Sequence, residues 1–341
     1  MIKVELKKLE NYLLDVFRAG GLNSENAAAA ADVYMRATLR GVGHHDIYDL
    51  PSRIQKLKSA SVAANPEYKK LAAFGSIESW DAGNGLGEVV CVYAMNRAMD
   101  LAGQYGMGLC AMRNTNHFLA AAPYVEMASE KGFVALMLSK GKVSMGAPDK
   151  AGTCMSALPM GFAYSTEEEY PVMLDACMAY ASFGKLEAMA KTGETTKEWW
   201  GYDEEGNPTT DPKAMAKGTR LPIGGHKGFG LAMLGEVLTS VLSFGPVLDE
   251  EETVDGLKNN SSHTAIAIKA DALMDMAAFK KRTSTLSNNA KALSPGLHIP
   301  GMGSYKCRVK FTSAGGIELE NELVDKLDKI ASSYNIAGLS K

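Results

Sequence analysis

Six histidines could move a proton near neutral pH: His44, His45, His117, His226, His263 and His298. An unperturbed imidazole titrates close to neutrality, so it can give or take a hydroxyl proton during a reaction. His44 and His45 stand together in a polar stretch, 43–51, directly after an alanine-rich helical pattern. His117 follows a short apolar run, in Asn114-Thr115-Asn116-His117-Phe118. Loops after strands often carry functional side chains. Taken alone, each histidine is more often a surface or hydrogen-bonded structural residue. Their scatter, with no H-x-x-x-H spacing, gives no expectation of a metal site. An imidazole used as acid and base gains from a carboxylate that orients it and steadies its cation. Asp175, ending the apolar run Val172-Met173-Leu174, is the candidate; the other reading is that it caps the turn that follows.

Glycines suggest where an anion could dock. Gly224-Gly225-His226-Lys227-Gly228-Phe229-Gly230 stands directly before an apolar stretch. Glycine lets a backbone approach a pyrophosphate, and a helix N-terminus favours negative charge. The competing reading is a turn that merely enters a packed helix. Gly83-Asn84-Gly85-Leu86-Gly87 is a second cluster, either a tight turn or a ligand loop. Its spacing is not the G-x-G-x-x-G of a Rossmann dinucleotide fold. No Walker motif is present.

The elements that must position these residues alternate. Met1 to Glu5 reads as the start of an amphipathic helix, and Leu6, Leu9, Leu13, Val16 and Phe17 recur at helical spacing. Gly20-Gly21 breaks that helix, Asn23-Ser24 caps a second, and Gly41 ends it. Further on, helices are expected over 87–105, 117–131 and 181–192, and strands over 107–112, 133–138, 172–175 and 262–269. The stretch 199–217 reads as a surface loop. The stretch 229–244 is apolar nearly all round and is expected to be a buried helix. Asn288, Asn289, Pro295 and Pro300 mark irregular chain, and Leu323, Leu327 and Ile330 a closing helix. Helix and strand in alternation indicate a mixed α/β fold.

The bulk numbers exclude several classes. The formal net charge of -3 over 341 residues argues against a nucleic-acid binder. The stretch 229–244 contains Glu236 and falls short of the ~20 residues of a bilayer span. No charged-then-apolar signal segment opens the chain, so a cytoplasmic protein without membrane contact is expected. The five cysteines are widely spaced with no C-x-x-C, which fits reduced thiols better than disulfides or zinc.

Six ordered segments resemble the type-2 malate/L-lactate dehydrogenase family. Arg40-Gly41-Val42, His45 and Leu50-Pro51 are similar to its R-G-V-D-S-H-G-x-x-R-L-P, and Gly83 to Gly87 to its G-N-G-x-G. Asn116-His117-Phe118 matches N-H-F, and Leu174-Asp175 with Gly184-Lys185 resembles L-D-x-A-x-S-x-x-x-x-G-K. Pro208 to Pro212 matches P-T-T-D-P, and Gly224 to Gly230 matches G-G-H-K-G-[YF]-G. The resemblance implies a non-Rossmann, largely antiparallel mixed sheet surrounded by helices, and a homodimer. It implies NADH or NADPH held partly by Gly225, His226, Lys227, Gly228 and Gly230. It places His45 as the catalytic histidine, Asp175 as its acidic partner and His117 in the same pocket. The implied reaction is hydride transfer between nicotinamide and a small 2-hydroxy or 2-oxo acid. A helical region over 1–75, joined by a C-terminal helix in 305–341, would flank a cofactor-binding and catalytic core over 76–304.

The departures bear on the substrate. His44 replaces the family's serine, Asp46 its glycine, and Asp49 the arginine that grips the substrate carboxylate. Arginine pairs with carboxylate bidentately, whereas aspartate repels it. Either Lys140, Lys142 or Arg53 binds a carboxylate from a new direction, or the substrate turns a cationic or neutral group, of imino or amino type, to Asp49. A non-catalytic dinucleotide sensor is the rival class; the retained His45 and Asp175 speak against it. A hydrolase has no G-x-S-x-G elbow to rest on.

Overall fold

The computed structural model describes residues 1–250 and 261–340. Residues 251–260, inside the expected core, and Lys341, inside the expected C-terminal region, lie outside the described residues. In chain order the elements are β1 (Ile2–Glu5), α1 (Leu6–Ala19), α2 (Ser24–Arg40), α3 (Leu50–Lys58), β2 (Lys69–Phe74), β3 (Ile77–Gly85), α4 (Gly87–Tyr105) and β4 (Met107–Thr115). Then come α5 (Ala122–Glu130), β5 (Phe133–Lys140), β6 (Val143–Gly146), β7 (Thr153–Ser156), β8 (Met160–Tyr164), β9 (Val172–Ala176), α6 (Phe183–Thr192), β10 (Gly201–Tyr202), α7 (Pro212–Lys217) and β11 (Thr219–Arg220). The chain closes with α8 (His226–Glu236), β12 (Ser261–Lys269), α9 (Met276–Leu293), α10 (Met302–Ser313), β13 (Gly316–Leu319) and α11 (Asn321–Ser333).

Among the described residues the main sheet has seven strands in the order β2-β3-β4-β12-β5-β8-β9. Its pairs are antiparallel except the parallel β3–β4. This is the mixed, largely antiparallel sheet expected above. Side chains alternate across it, as the period of a strand requires. Cys110, Met112, Ala135, Met137, Ala265 and Ala267 join the large core under α1, α2, α4 and α5. Leu109, Ala111, Leu138 and Ile266 face the other way, toward Leu158 and Ala232 of α8. Helices cover both faces, so the central strands are apolar on both sides. β1 pairs with β13, and Leu319, Leu323, Val324 and Leu327 of the C-terminal segment enter the same core as α1.

Several expectations needed correction. Residues 2–5 form a strand because their backbone pairs with 316–319, a partner too distant in sequence to read. α5 begins at Ala122, five residues later than expected: Leu119 takes a left-handed φ of 72° and Pro123 occupies the first turn. α9 runs through Asn288-Asn289, where no proline or glycine stops it. The stretch 199–217 includes β10 and α7, with Asp211 capping α7.

The largest correction concerns 229–244. Helix α8 and the π-helical turn Val237–Val241 carry their large side chains on the outside. Leu231, Leu234, Val237, Val241, Leu242 and Phe244 are exposed. Ala232, Gly235, Thr239, Ser240 and Ser243 face inward. Close packing explains the inversion: a Cβ on Gly235 would lie 2.1 Å from Leu158. Thr239 donates to the Gly235 carbonyl at 2.7 Å, and Thr264 of β12 donates to the Leu238 carbonyl at 2.7 Å.

Candidate active site

The histidine pair is placed by a short, tightly tied loop. Gly41 ends α2 in the left-handed region, φ 69°, which turns the chain. Asp46 then accepts from the backbone N–H of Gly43 at 2.7 Å and of Tyr48 at 3.1 Å. Thr38 on α2 accepts from the Ile47 N–H at 3.2 Å. Asp46 is thus a structural anchor, and burial raises its carboxyl pKa. The loop delivers His44 and His45 side by side, ring centroids 4.4 Å apart, just ahead of α3.

His117 reaches the same crevice from the other side. Its loop leaves β4 and packs on the start of α4. The Asn116 side-chain amide donates to the Asn84 and Gly85 carbonyls at 3.2 and 3.0 Å. The Gly83–Gly87 cluster therefore serves this packing: a Cβ on Gly87 would lie 2.3 Å from the Asn116 and His117 carbonyl oxygens. Gly87→Ala should displace this loop, cost about 1–3 kcal/mol by overpacking and lower activity with it; a thermal melt beside a rate assay reads both. His45 and His117 end with ring centroids 4.8 Å apart.

The tautomer of His117 follows from its donors. Nδ1 faces Arg53 Nη2 at 2.7 Å and accepts from the Leu119 N–H at 3.1 Å. Both are donors, so Nδ1 is the acceptor and Nε2 carries the hydrogen. Burial, then the Arg53 charge, pushes the His117 pKa well below the ordinary value. This ring is a fixed, neutral hydrogen-bond donor. His45, Asp49 and His117 have ligand atoms within 4.8 Å of one another. A cation there would need the His117 Nε2 lone pair, which that hydrogen takes.

Two carboxylates bear on His45. Asp49 Oδ2 faces His45 Nδ1 at 3.7 Å and Arg53 Nη2 at 3.3 Å. Burial works to raise the Asp49 pKa, but His45 and the Arg53 charge outweigh it and hold it below the usual value. Asp175, at the end of β9, accepts from the Ala122 N–H at 2.8 Å. It caps α5, not the turn that follows it. The residue is exposed, yet enough protein surrounds its carboxyl that desolvation raises its pKa, while the Ala122 and Ala121 N–H groups and the charge of His45 act to lower it. It stands within electrostatic reach of His45. His44 is turned toward α6, with Nε2 3.3 Å from the Ser182 hydroxyl; burial and then His45 lower its pKa.

Behind the crevice lies a network that sequence reasoning missed. Arg53 donates through Nε to Glu88 Oε1 at 2.8 Å, and the buried Tyr34 hydroxyl donates to the same oxygen at 3.3 Å. The one signal for it was the i, i+4 spacing of Asp49 and Arg53 on adjoining turns. Lys140 is placed elsewhere: its buried ammonium donates to the Pro246 and Leu248 carbonyls, 4.0 Å from Glu236. His263 is also a core residue. Its Nε2 donates to the Asn116 carbonyl at 2.8 Å, and burial lowers its pKa to about 4. Its ordinary value is 6.5, so between these values the unfolded chain binds the extra proton. Stability should therefore fall as pH drops from about 6.5 toward 4, by up to ~3 kcal/mol from this group. His263→Phe should flatten that acid limb in melts across pH, whatever it does to the plateau.

The glycine-rich turn forms a second part of the site. Gly224 and Gly225 have φ of 60° and 61° at the N-terminus of α8. His226, Lys227 and Gly230 are exposed there. The N–H groups of Gly224, Gly225 and Gly228 bond within the fold, to the Tyr180 hydroxyl and the Pro222 and Ile223 carbonyls, so the anion cradle here is the positive end of the helix with the exposed His226 and Lys227 side chains. Gly228 has a packing role, since a Cβ would lie 2.4 Å from the Ile223 carbonyl oxygen. The segment after β9 ties cradle and crevice together. Tyr180 accepts from the Gly224 N–H at 3.2 Å, and Ser182, two residues on, meets His44.

Residues 4–328 match the model of the malate/L-lactate dehydrogenase family. The chain belongs to that family. It is 31% identical to the 2,3-diketo-L-gulonate reductase of Escherichia coli K12 over 277 residues, 80% of this chain and 82% of the relative. Its fold resembles that of sulfolactate dehydrogenase from Methanocaldococcus jannaschii, with a TM-score of 0.87 and 26% identity over 98% of each chain. It also resembles Δ1-piperideine-2-carboxylate reductase from Pseudomonas syringae pv. tomato, with a TM-score of 0.85 and 25% identity over 97% of this chain and 100% of that one. Relatives across this family are dehydrogenases and reductases, so the chain is an oxidoreductase.

Proposed function

We propose that this protein transfers a hydride between NADH or NADPH and a small 2-hydroxy/2-oxo acid or a related compound, with His45 as acid and base. The observation that carries the reading is the arrangement at His45: Asp49 Oδ2 lies 3.7 Å from its Nδ1, and the neutral His117 donor stands beside it with ring centroids 4.8 Å apart. When bound, the reduced nicotinamide supplies two electrons and a hydrogen to the carbonyl carbon. His45 gives the matching proton to the oxygen, so ketone becomes alcohol; in the reverse direction it takes that proton back. His117 Nε2–H donates to the same oxygen and polarises it without adding charge. Asp49 and Asp175 steady the His45 cation.

The residues at the start of α8 fit a dinucleotide. Positive-φ glycines, an exposed helix N-terminus and the Lys227 ammonium would hold the pyrophosphate. Coenzyme oxidation is measured with NADH and NADPH in parallel on small oxo compounds. Lys227→Ala should weaken coenzyme binding about tenfold, the scale of one charge-assisted contact, in a fluorescence titration. An unchanged affinity removes Lys227 from the site. The uncovered apolar face of α8 supports a homodimer. Among the described residues no helix is long and apolar enough to cross a membrane. The five unpaired cysteines suit the reducing cytoplasm.

A further inference from the structure

The two oxygens of Asp49 are used differently. Oδ2 faces Arg53 and His45 at 3.3 and 3.7 Å. Oδ1 makes no hydrogen bond among the described residues, and the side chain keeps 27% of its surface open. It therefore offers a charged acceptor to whatever enters the crevice. A carboxylate oxygen held on one side only gains from a donor on the other.

The cations that might reverse this charge are engaged. Arg53, its side chain 5% exposed, spends Nε on Glu88 and Nη2 on His117 and Asp49. Lys140 is drawn to the carbonyls of Pro246 and Leu248. Lys56, half-buried on α3, stands within electrostatic range of Asp49 without a hydrogen bond to it, and Lys142 is exposed. His117 is held neutral by its two donors. A negative group brought against Asp49 Oδ1 would meet like charge, because the Arg53 cation in contact with this carboxylate sits on Oδ2 and is shared with Glu88.

We propose that Asp49 selects the substrate class: the group beside the reacting carbon is an uncharged or cationic hydrogen-bond donor, such as a hydroxyl, carboxamide or ammonium, and not a carboxylate. This rests on the reading of the crevice as a hydride-transfer site and narrows its substrate from a 2-oxo acid to a related carbonyl compound without a flanking carboxylate. A donor on Asp49 Oδ1 leaves His45 and His117 free to serve the reacting oxygen.

Pyruvate, pyruvamide, hydroxyacetone and aminoacetone test it, because they share an acetyl unit and differ only in the flanking group. With full-length protein and reduced coenzyme, kcat/KM for aminoacetone should exceed that for pyruvate by about tenfold or more, the scale of a hydrogen bond to a charged group. In Asp49→Asn the ratio of kcat/KM for aminoacetone to that for hydroxyacetone should fall about tenfold through KM. A ratio cancels whatever the substitution does to His45, which a purely structural role would change for both substrates alike. Preference for pyruvate, or an unchanged ratio in Asp49→Asn, overturns the assignment and leaves the hydride-transfer reading standing. Oxidation of neither coenzyme with any of the four overturns both.

Discussion

His45→Ala lowers kcat by about 10²–10⁴-fold, the share of a positioned acid and base, while coenzyme affinity and thermal midpoint stay near those of the parent. The ring is 35% exposed and anchors nothing; the loop is held by Asp46 and Thr38. Its loss should therefore cost little stability. Neither neighbouring imidazole can take over. His44 is turned to Ser182 with a lowered pKa. His117 keeps its hydrogen on Nε2 because Arg53 and the Leu119 N–H occupy Nδ1. Steady-state rates and a coenzyme titration on the same preparation separate chemistry from binding. Turnover within a few-fold of the parent would remove His45 from the mechanism.

Leu234→Glu combined with Val241→Glu should turn the proposed homodimer into monomers. Both positions lie on the exposed stripe of α8 and its π-helical turn, at 53% and 48% exposure. Nature puts small side chains under this segment and large apolar ones on top of it, the reverse of a solvated surface helix. Exposed apolar patches of this kind mark interaction sites, and self-association is the occupant that a self-complementary helix stripe favours. Burying each of these side chains is worth ~1.5–3 kcal/mol, so losing two weakens association by roughly a hundredfold or more before the cost of burying the new charges. Sedimentation or light scattering at micromolar protein reads the outcome. A wild-type chain that is monomeric at that concentration contradicts it.

Legibility in the sequence followed the range of the interactions. Helices α1, α2 and α4 were readable because spacing, an Asn23 cap and glycine stops are local signals. Strands β1 and β13 were not, because each exists only through the other. The apolar run 229–244 showed which residues avoid water, but not that the fold would bury Gly235 and Ser240 and leave Leu231 outside. Within the proposed site, His45, His117 and Asp175 were candidates by type and setting, and the family resemblance singled out His45. Their relations were not legible. Nothing in the sequence tells that Asp49 rather than Asp175 faces His45 Nδ1, or that Arg53 and the Leu119 N–H fix the His117 tautomer. Lys140 was a candidate to bind a substrate carboxylate, and only the structure shows its ammonium buried and donating to backbone carbonyls.

A crystal structure with reduced coenzyme bound tests the central claim most directly. The claim places the pyrophosphate at the start of α8 beside the His226 and Lys227 side chains and the nicotinamide in the crevice beside His45 and His117. A ring that docks away from His45, or phosphates that bypass the start of α8, would contradict it.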